Sequence, residues 1–424
     1  MRLIFAILLL LLSVAFCDNV DFDAYLRNHY RGMMRTAQDA FFNDLGMAGK
    51  NLHMDREDKT ILRYSRKLPY TFTFAGYPVA ESVFSFTPKL ELKEIAVHLY
   101  NRGDCGPWEA SKFKKMVQDT RGALEKLSRD KSPRKSTRHV NDLLITELFY
   151  SGNGTDATLR WSGKGDELEY VTVTFTQHKR GDNAPGKLSE EMKADVSRKN
   201  LVRNVRKEKD GTHWLDVPMV SQGDKGYCMA ATFTRIMKYY KSNVDQHIAA
   251  QLLDTDPSKG TSHRGGIDAM IKNQNLFSVT VKDVYKDQKV GSMDGIMEIV
   301  SGYNRLARKN KKPAITQEML TTVQNEWPFR KFQEIADPKL FIASRNLQGN
   351  EAAKIMSIVK NHIDRGIPLM WFVPGHARMI NGYRGNGTII YTDSWGAGHE
   401  RKEMKLKEAR AITYEIYVVT PKQK

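Results

Sequence analysis

The chain has 424 residues, of which 41% are hydrophobic, and a formal net charge of +17. This length predicts two or three domains, and the apolar content is enough for sizeable cores. The basic charge occurs without any motif typical of nucleic-acid recognition, which argues against nucleic acid as the main partner. An anionic cell-wall polymer or membrane surface fits such a charge better, although the lysines and arginines would also serve solubility alone.

The beginning of the chain is typical of a secretory signal. Arg2 precedes an apolar run over residues 3–12, and a small residue, Ala15, stands shortly before the first acidic residue. The run is shorter than the roughly 20 residues that span a bilayer, which disfavours a transmembrane anchor. We therefore expect residues 1–17 to be removed and the protein to be secreted or periplasmic. Lipid anchoring through Cys17 is the alternative.

Residues 18–177 predict an α+β domain in the order helix, three strands, helix, three strands. Apolar residues at three- and four-residue steps predict helices over 22–46 and 108–127. Alternating apolar residues predict six strands, which we place at 70–74, 81–86, 93–100, 142–150, 157–162 and 168–177. A basic loop is expected at 128–139, and the strands would form a sheet with a helix on one face. No catalytic pattern is apparent in this part, so its role stays open.

Residues 178–210 are polar and charge-rich, which predicts a linker with one solvated helix over 188–205. A further domain is expected over 211–424, beginning with a strand at 214–219. A mostly helical stretch follows at 241–365, ending in a helix over 350–365. The domain then closes with strands, which we place at 368–373, 376–383, 388–393 and 413–420.

Cys228 stands where a thiol nucleophile gains most from local structure. It begins an apolar helical pattern, and the N–H groups and dipole at a helix N-terminus favour the thiolate. Gln222, six residues earlier, carries a side-chain amide that is suited to donating a hydrogen bond to a developing oxyanion. His376, 148 residues after Cys228, has the chemistry of a general base, and Asp393, 17 residues further on, has that of the group that orients it.

The sequence resembles the papain-like cysteine peptidase superfamily, because it contains the pattern Gln-x5-Cys, followed by Gly-His and then by Asp-Ser-Trp-Gly. Within it, residues 217–222, Cys228 and the later motifs are similar to the bacteriocin-processing (double-glycine leader) peptidases and their relatives. The resemblance covers about residues 211–424 and implies a helical half, an antiparallel β half and an active-site cleft between them. It also implies a Cys-His-Asp triad that hydrolyses, or transfers across, peptide or amide bonds in a peptide or protein substrate.

The sequence departs from the superfamily pattern at three positions. Asp393 stands where papain itself has Asn, as in the bacteriocin-processing branch, and Tyr227 and Met229 flank the cysteine where relatives often carry Gly or Ala. These departures leave the substrate preference open more than the chemistry. The bacteriocin-processing peptidases are fused to membrane transporters and this sequence shows no such spans, so leader processing is not inferred.

Each candidate also has a purely structural interpretation. Cys228 would lose its nucleophilic role in a disulfide with Cys105, the pairing that an oxidising compartment favours. His376 alone would be taken for a core histidine, Asp393 for a turn cap and Gln222 for a surface-loop residue. The occurrence of all four polar groups in one chain favours the catalytic interpretation.

Three further residues are expected to border the substrate cleft. Trp395 would shield the His–Asp hydrogen bond from water or simply pack in the core, and Gly375 and Tyr227 adjoin the histidine and the cysteine. No metal or cofactor is expected, because the sequence has neither a His-Glu-x-x-His motif nor clustered Cys and His residues.

Two functions of different class follow from these observations. The first is an exported thiol hydrolase, and the second is a catalytically silent module that uses the same fold to bind peptides or wall polymers. The intact set of polar groups favours the first, because a module released from catalysis usually loses one of them. The oligomeric state does not follow from the sequence.

Overall fold

The computed structural model describes residues 19–47, 52–54, 60–65, 68, 70–140, 143–152, 154–164, 167–178, 192–223, 225–256, 260–321, 327–347, 349–396 and 398–422. The expected signal over 1–17, with Cys17, lies outside these residues, as do residues 179–191 of the expected linker. The chain divides into two compact units. Of the described residues, the first unit comprises those within 19–178, together with 223, 225, 226, 256 and 260, and the second comprises those within 192–222, 227–255 and 261–422.

The first unit contains short helices, one long helix and two sheets. Its helices are Phe22–His29, Gln38–Asp44, Arg102–Cys105 and Ala110–Ser128. Its strands are β1 (Asn19–Asp21), β2 (His53–Met54), β3 (Ile61–Ser65), β4 (Thr71–Phe74), β5 (Tyr77–Pro78), β6 (Glu81–Phe86), β7 (Leu92–Asn101), β8 (Arg134–Val140), β9 (Leu143–Tyr150), β10 (Thr155–Lys164) and β11 (Glu167–Gln177).

Eight of these strands form one antiparallel sheet in the order β2-β3-β6-β7-β11-β10-β9-β8, and β1, β4 and β5 form a small second sheet. Helix Ala110–Ser128 packs on β9, β10 and β11 through a face that includes Phe113, Met116 and Leu124. Alternation along the strands places every second side chain on the covered face, which is why aromatic residues accumulate in the core. The α+β class is therefore confirmed.

Three predictions for this unit are wrong in detail. The strand expected over 70–74 corresponds to β4, which lies in the small sheet with β1 and β5 and not in the main sheet. The helix expected over 22–46 is two helices, and the chain between them takes a positive φ of 72° at Arg35, which a continuous helix excludes. The loop expected at 128–139 is in part strand β8, which pairs along its whole length with β9. Most of its side chains are partly or fully exposed, so main-chain hydrogen bonds rather than an apolar pattern specify this edge strand.

The second unit places a set of helices beside one sheet. Its α-helices are Cys228–Tyr239, Gln246–Leu252, His263–Lys272, Met293–Lys309, Gln317–Thr321, Pro328–Ile335, Pro338–Arg345, Glu351–Ile363 and Leu406–Ile412. Its strands are β12 (Val205–Lys207), β13 (His213–Leu215), β14 (Val279–Lys286), β15 (Leu369–Val373), β16 (His376–Tyr383), β17 (Thr388–Thr392), β18 (Lys402–Lys405) and β19 (Glu415–Pro421). The sheet order is β12-β13-β16-β15-β19-β14, with β17 joined to β16 and β18 to β17.

The structure confirms the helix that begins at Cys228 and the helix expected over 350–365, which spans Glu351–Ile363. It also confirms the closing strands β15, β16, β17 and β19. Other expectations are wrong. The strand expected over 214–219 is reduced to β13. The stretch 241–365 is mostly helical, as expected, but it also contains strand β14, which joins the sheet by pairing with β19. In place of the helix expected over 188–205, the described residues show a short 3-10 helix, Arg198–Asn204, followed by β12. Among the described residues, we find no helix with the length and apolarity that crossing a membrane requires.

Candidate active site

The candidate nucleophile is the first residue of helix Cys228–Tyr239. The helix forms because apolar residues recur at its spacing, and ten of its twelve side chains are buried, which anchors it in the core. The N–H groups of Met229 and of Ala377, on β16, hydrogen-bond to the cysteine sulfur. Cys228 is partly exposed and its thiol is free, so the alternative of a disulfide with Cys105 is not realised.

The candidate base enters the site from a tight hairpin. Val373 pairs with His376 at the ends of β15 and β16, so Pro374 and Gly375 alone form the turn. Gly375 is exposed and has a positive φ of 71°, a conformation that residues with a Cβ rarely adopt. The hairpin therefore fixes the position at which the histidine side chain leaves the strand.

The candidate orienting residue follows the neighbouring strand. Strand β17 pairs antiparallel with β16 through Met379 and Thr392, so the next residue, Asp393, lies beside the beginning of β16. Oδ1 of Asp393 is 2.7 Å from Nε2 of His376. The imidazole also hydrogen-bonds to the side chain of Cys228, and Nδ1 is the ring nitrogen that remains for this bond. Cysteine, histidine and aspartate thus form one hydrogen-bonded chain.

The electrostatics of this chain favour an ion pair between its first two members. Burial by itself would raise the pKa of the Cys228 thiol, but the hydrogen bond and charge of His376 hold that pKa below its ordinary value. Burial would lower the pKa of His376, but hydrogen bonds with Asp393 and Cys228 raise it to about 9. Burial also opposes ionisation of Asp393, and the neighbouring His376 and Arg378 nonetheless lower its pKa. These opposed shifts favour a thiolate beside an imidazolium over two neutral side chains.

Two arginines that the sequence analysis did not single out hold Asp393 in place. Arg378 lies two residues after His376 on β16, on the same face of the strand, and its Nε is 3.2 Å from Oδ1 of Asp393. Arg235 is 1% exposed and donates to the main-chain oxygens of Asp393 and Pro218, at 3.0 Å each. In the sequence, Arg235 stands out as a positively charged residue on the apolar face of the helix. A buried charge there would be costly unless it had a partner.

Gln222 is tied to the residue that follows the aspartate. Its backbone N–H donates to the carbonyl oxygen of Ser394 at 2.6 Å, and its Oε1 accepts a hydrogen bond from the Ser394 hydroxyl at 2.8 Å. Ser394 is fully buried, so the side chain of Gln222 is held by a fixed partner. With Oε1 engaged in this way, the amide nitrogen is the end that can donate to an oxyanion.

The remaining candidates differ in exposure. Trp395 is 49% exposed and stacks on the imidazole of His376 with ring centroids 4.7 Å apart, which covers the His–Asp hydrogen bond from one side. Its other neighbour is His399, at 5.3 Å. Tyr227 is 3% exposed and packs edge-on against His247, so its side chain lies in the core beside the helix that begins at Cys228.

The comparisons with known proteins bear on this half of the chain. A family model described as the Peptidase_C39 like family matches residues 214–423, a range that includes Gln222, Cys228, His376 and Asp393. No curated protein and no solved structure gives a significant match to the chain. The family match confirms the expected resemblance to the papain-like cysteine peptidases.

Proposed function

Because residues 214–423 belong to the Peptidase_C39 like family, we propose that the protein is a cysteine peptidase that cleaves peptide or amide bonds through Cys228, His376 and Asp393. The observation that carries the proposal is the hydrogen-bonded chain of these three side chains, with the pKa of the thiol lowered and that of the imidazole raised. A structural histidine or a structural cysteine needs neither the shared hydrogen bond nor the opposed pKa shifts.

In the proposed reaction, the Sγ thiolate of Cys228 attacks the carbonyl carbon of the substrate, a C–S bond forms, and the carbonyl becomes an oxyanion. The amide nitrogen of Gln222 and the backbone N–H of Cys228, unpaired within the first turn of its helix, are the donors that would stabilise this charge. The imidazolium of His376 then transfers its proton to the leaving nitrogen as the C–N bond breaks.

The second half of the reaction regenerates the enzyme. The neutral imidazole of His376 takes a proton from water, the resulting hydroxide attacks the thioester carbonyl, and the C–S bond breaks to release the acid. The carboxylate of Asp393 accepts the Nε2–H hydrogen bond throughout, which keeps Nδ1 directed at sulfur and stabilises the imidazolium.

The environment of the enzyme is part of the proposal. An N-terminal signal would export the protein, and its strongly positive charge, +17 for the full sequence, would hold it near anionic surfaces such as wall polymers or membrane head groups. Its substrate would then be a peptide or protein met outside the cytoplasm. Export is tested by amino-terminal sequencing of the mature chain, which should begin after residue 17.

The proposed activity is tested with a fluorogenic peptide library. The wild-type chain should cleave a subset of the library, and Cys228→Ala should cleave none of it. A matched variant, Thr234→Ala, alters a buried hydroxyl of the same helix and should retain cleavage. Cleavage that persists in Cys228→Ala would show that the thiol is not the nucleophile. Binding without cleavage by the wild-type chain would instead support the silent binding module.

A further inference from the structure

The second unit contains a basic cavity that none of the candidate catalytic residues lines. Its volume is about 360 Å³, and it opens between helix Met293–Lys309 and the segments that carry Arg345 and Arg410. Its charged lining residues are Lys289, Glu298, Arg305, Arg308, Arg345 and Arg410. Five of these six side chains are cationic, and the proposed peptidase reaction uses none of them.

The inner wall of the cavity holds two buried arginines for one buried carboxylate. Oδ2 of Asp287 is 2.7 Å from Nη2 of Arg345 and 2.9 Å from Nη1 of Arg410. Arg345 and Arg410 are 3% and 6% exposed, so one positive charge is buried in excess. The pKa of Arg345 is lowered by burial, the larger cause, and by the positive charge of Arg410. This lowering reflects the same excess of buried positive charge. Buried charge of one sign is costly unless an opposite charge neutralises it.

The two arginines differ in how their nitrogens are satisfied. Nε of Arg345 donates to the carbonyl oxygen of Ala411 at 2.9 Å, and its Nη2 also bonds Asp287. Nε of Arg410 is buried and has no hydrogen-bond partner. Its Nη1 is close enough to Asp287 for an ion pair, but the angles do not allow a hydrogen bond. Because Arg410 lines the cavity, an anion within it is the group that would satisfy this donor.

The rim adds more positive charge. Arg305 and Arg308 are both exposed and stand three residues apart on one helix, so they share a face. Lys289 is paired with Glu298 at 2.6 Å and contributes little net charge. Counting these residues and Asp287, five cations face two carboxylates, an excess of three charges.

We propose that this cavity binds a phosphate group. A carboxylate carries a single negative charge, whereas a phosphate monoester carries about −1.5 to −2 at neutral pH and offers three acceptor oxygens. The forked donors of several arginines match those oxygens. The phosphate would belong to a soluble phosphate compound or to a lipid head group, since the chemistry of recognition is the same for both.

The test is calorimetric titration of the full chain with inorganic phosphate at constant ionic strength, with acetate as the comparison anion. One saturable phosphate site is expected, and acetate should bind at least about tenfold more weakly. Arg305→Gln and Arg308→Gln should each weaken phosphate binding by about tenfold, the usual cost of a lost bond to a charged group. Lys309→Gln removes one charge from the same helix outside the cavity and should leave binding unchanged.

Arg410→Lys keeps the inner charge but loses the unpartnered Nε–H, and should weaken phosphate binding at least as much as the rim variants. If this variant fails to fold, the exposed rim variants still decide the matter, because alkylation of Cys228 at the wild-type rate shows that they are intact. The source of phosphate is distinguished with phosphatidylcholine vesicles that contain phosphatidic acid. A lipid ligand gives sedimentation that Arg305→Gln reduces and Lys309→Gln does not.

The proposal is overturned by any of three results. These are failure of both phosphate and the vesicles to bind, binding of acetate as tight as that of phosphate, and a weakening of binding by Lys309→Gln as large as that caused by the two rim arginine variants. The last result would mean that net basic charge, rather than this cavity, holds the anion.

Discussion

Removal of the Asp393 carboxylate is the perturbation whose effect follows most directly from the geometry. The pKa of His376 rises from an ordinary 6.5 to about 9, a shift that corresponds to about 3 kcal/mol. Hydrogen bonds with Asp393 and Cys228 both contribute, against the effect of burial. If the aspartate supplies half of this stabilisation, its loss costs the imidazolium about 1.5 kcal/mol, or about tenfold in the population of the thiolate–imidazolium pair.

The expected result is a slower alkylation of Cys228 by iodoacetamide in Asp393→Ala, by about tenfold near pH 6, measured by peptide mapping with mass spectrometry. The acid limb of the rate profile should move to higher pH, because the thiolate loses its protonated partner. Asp393→Asn should retain much of the rate, since an amide oxygen still accepts the hydrogen bond from Nε2 of His376. Asp364→Ala removes the carboxylate of a second Asp–His pair, 2.6 Å from His213, and should have no effect.

The reasoning is refuted if Asp393→Ala is alkylated at the wild-type rate across the pH range. It is equally refuted if Asp393→Asn is as slow as Asp393→Ala, because the hydrogen bond would then not be what matters. A similar loss of rate in Asp364→Ala would point to a general loss of structure.

Further predictions concern the oxyanion donor, the buried arginine and the pH range of activity. Gln222→Ala should lower kcat by roughly a hundredfold, the effect of losing about 3 kcal/mol of oxyanion stabilisation, and should leave alkylation of Cys228 unchanged because alkylation forms no oxyanion. Arg235→Met should lower the free energy of unfolding in urea by about 3 kcal/mol, since it leaves buried oxygens without donors, whereas Arg264→Met at an exposed position should change it by less than about 0.5 kcal/mol. Peptidase activity should fall as pH rises through about 9, where His376 loses the proton that it gives to the leaving nitrogen, while alkylation of the thiolate persists.

The parts of the site that local sequence determines were predictable. The position of Cys228 at the beginning of a helix was predictable, because the apolar residues that follow it recur at helical spacing and this pattern depends only on nearby sequence. His376 and Asp393 were placed at a strand start and a strand end by the alternation of β16 and β17. The separation of these residues along the chain, with the Gln-x5-Cys pattern, then identified the family.

The parts that depend on distant partners were not predictable. Strand β14 lies in a mostly helical stretch and is specified by its pairing with β19, far along the chain. The role of Arg235 depends on accepting oxygens at Pro218 and Asp393, which its neighbours in the helix do not reveal. Tyr227 was expected near the cleft because it precedes the cysteine. A residue next to a catalytic candidate can equally point into the core, and the side chain of Tyr227 does so.

The central claim is that His376 activates Cys228 as a thiolate, and alkylation near pH 6 tests it most directly. An ordinary cysteine, with a pKa of about 8.5, is less than about 1% thiolate at that pH. The wild-type chain should incorporate iodoacetamide at Cys228 at least about tenfold faster than at Cys105, and His376→Ala should abolish that difference. Equal rates at the two cysteines, or a fast Cys228 in His376→Ala, would contradict the account.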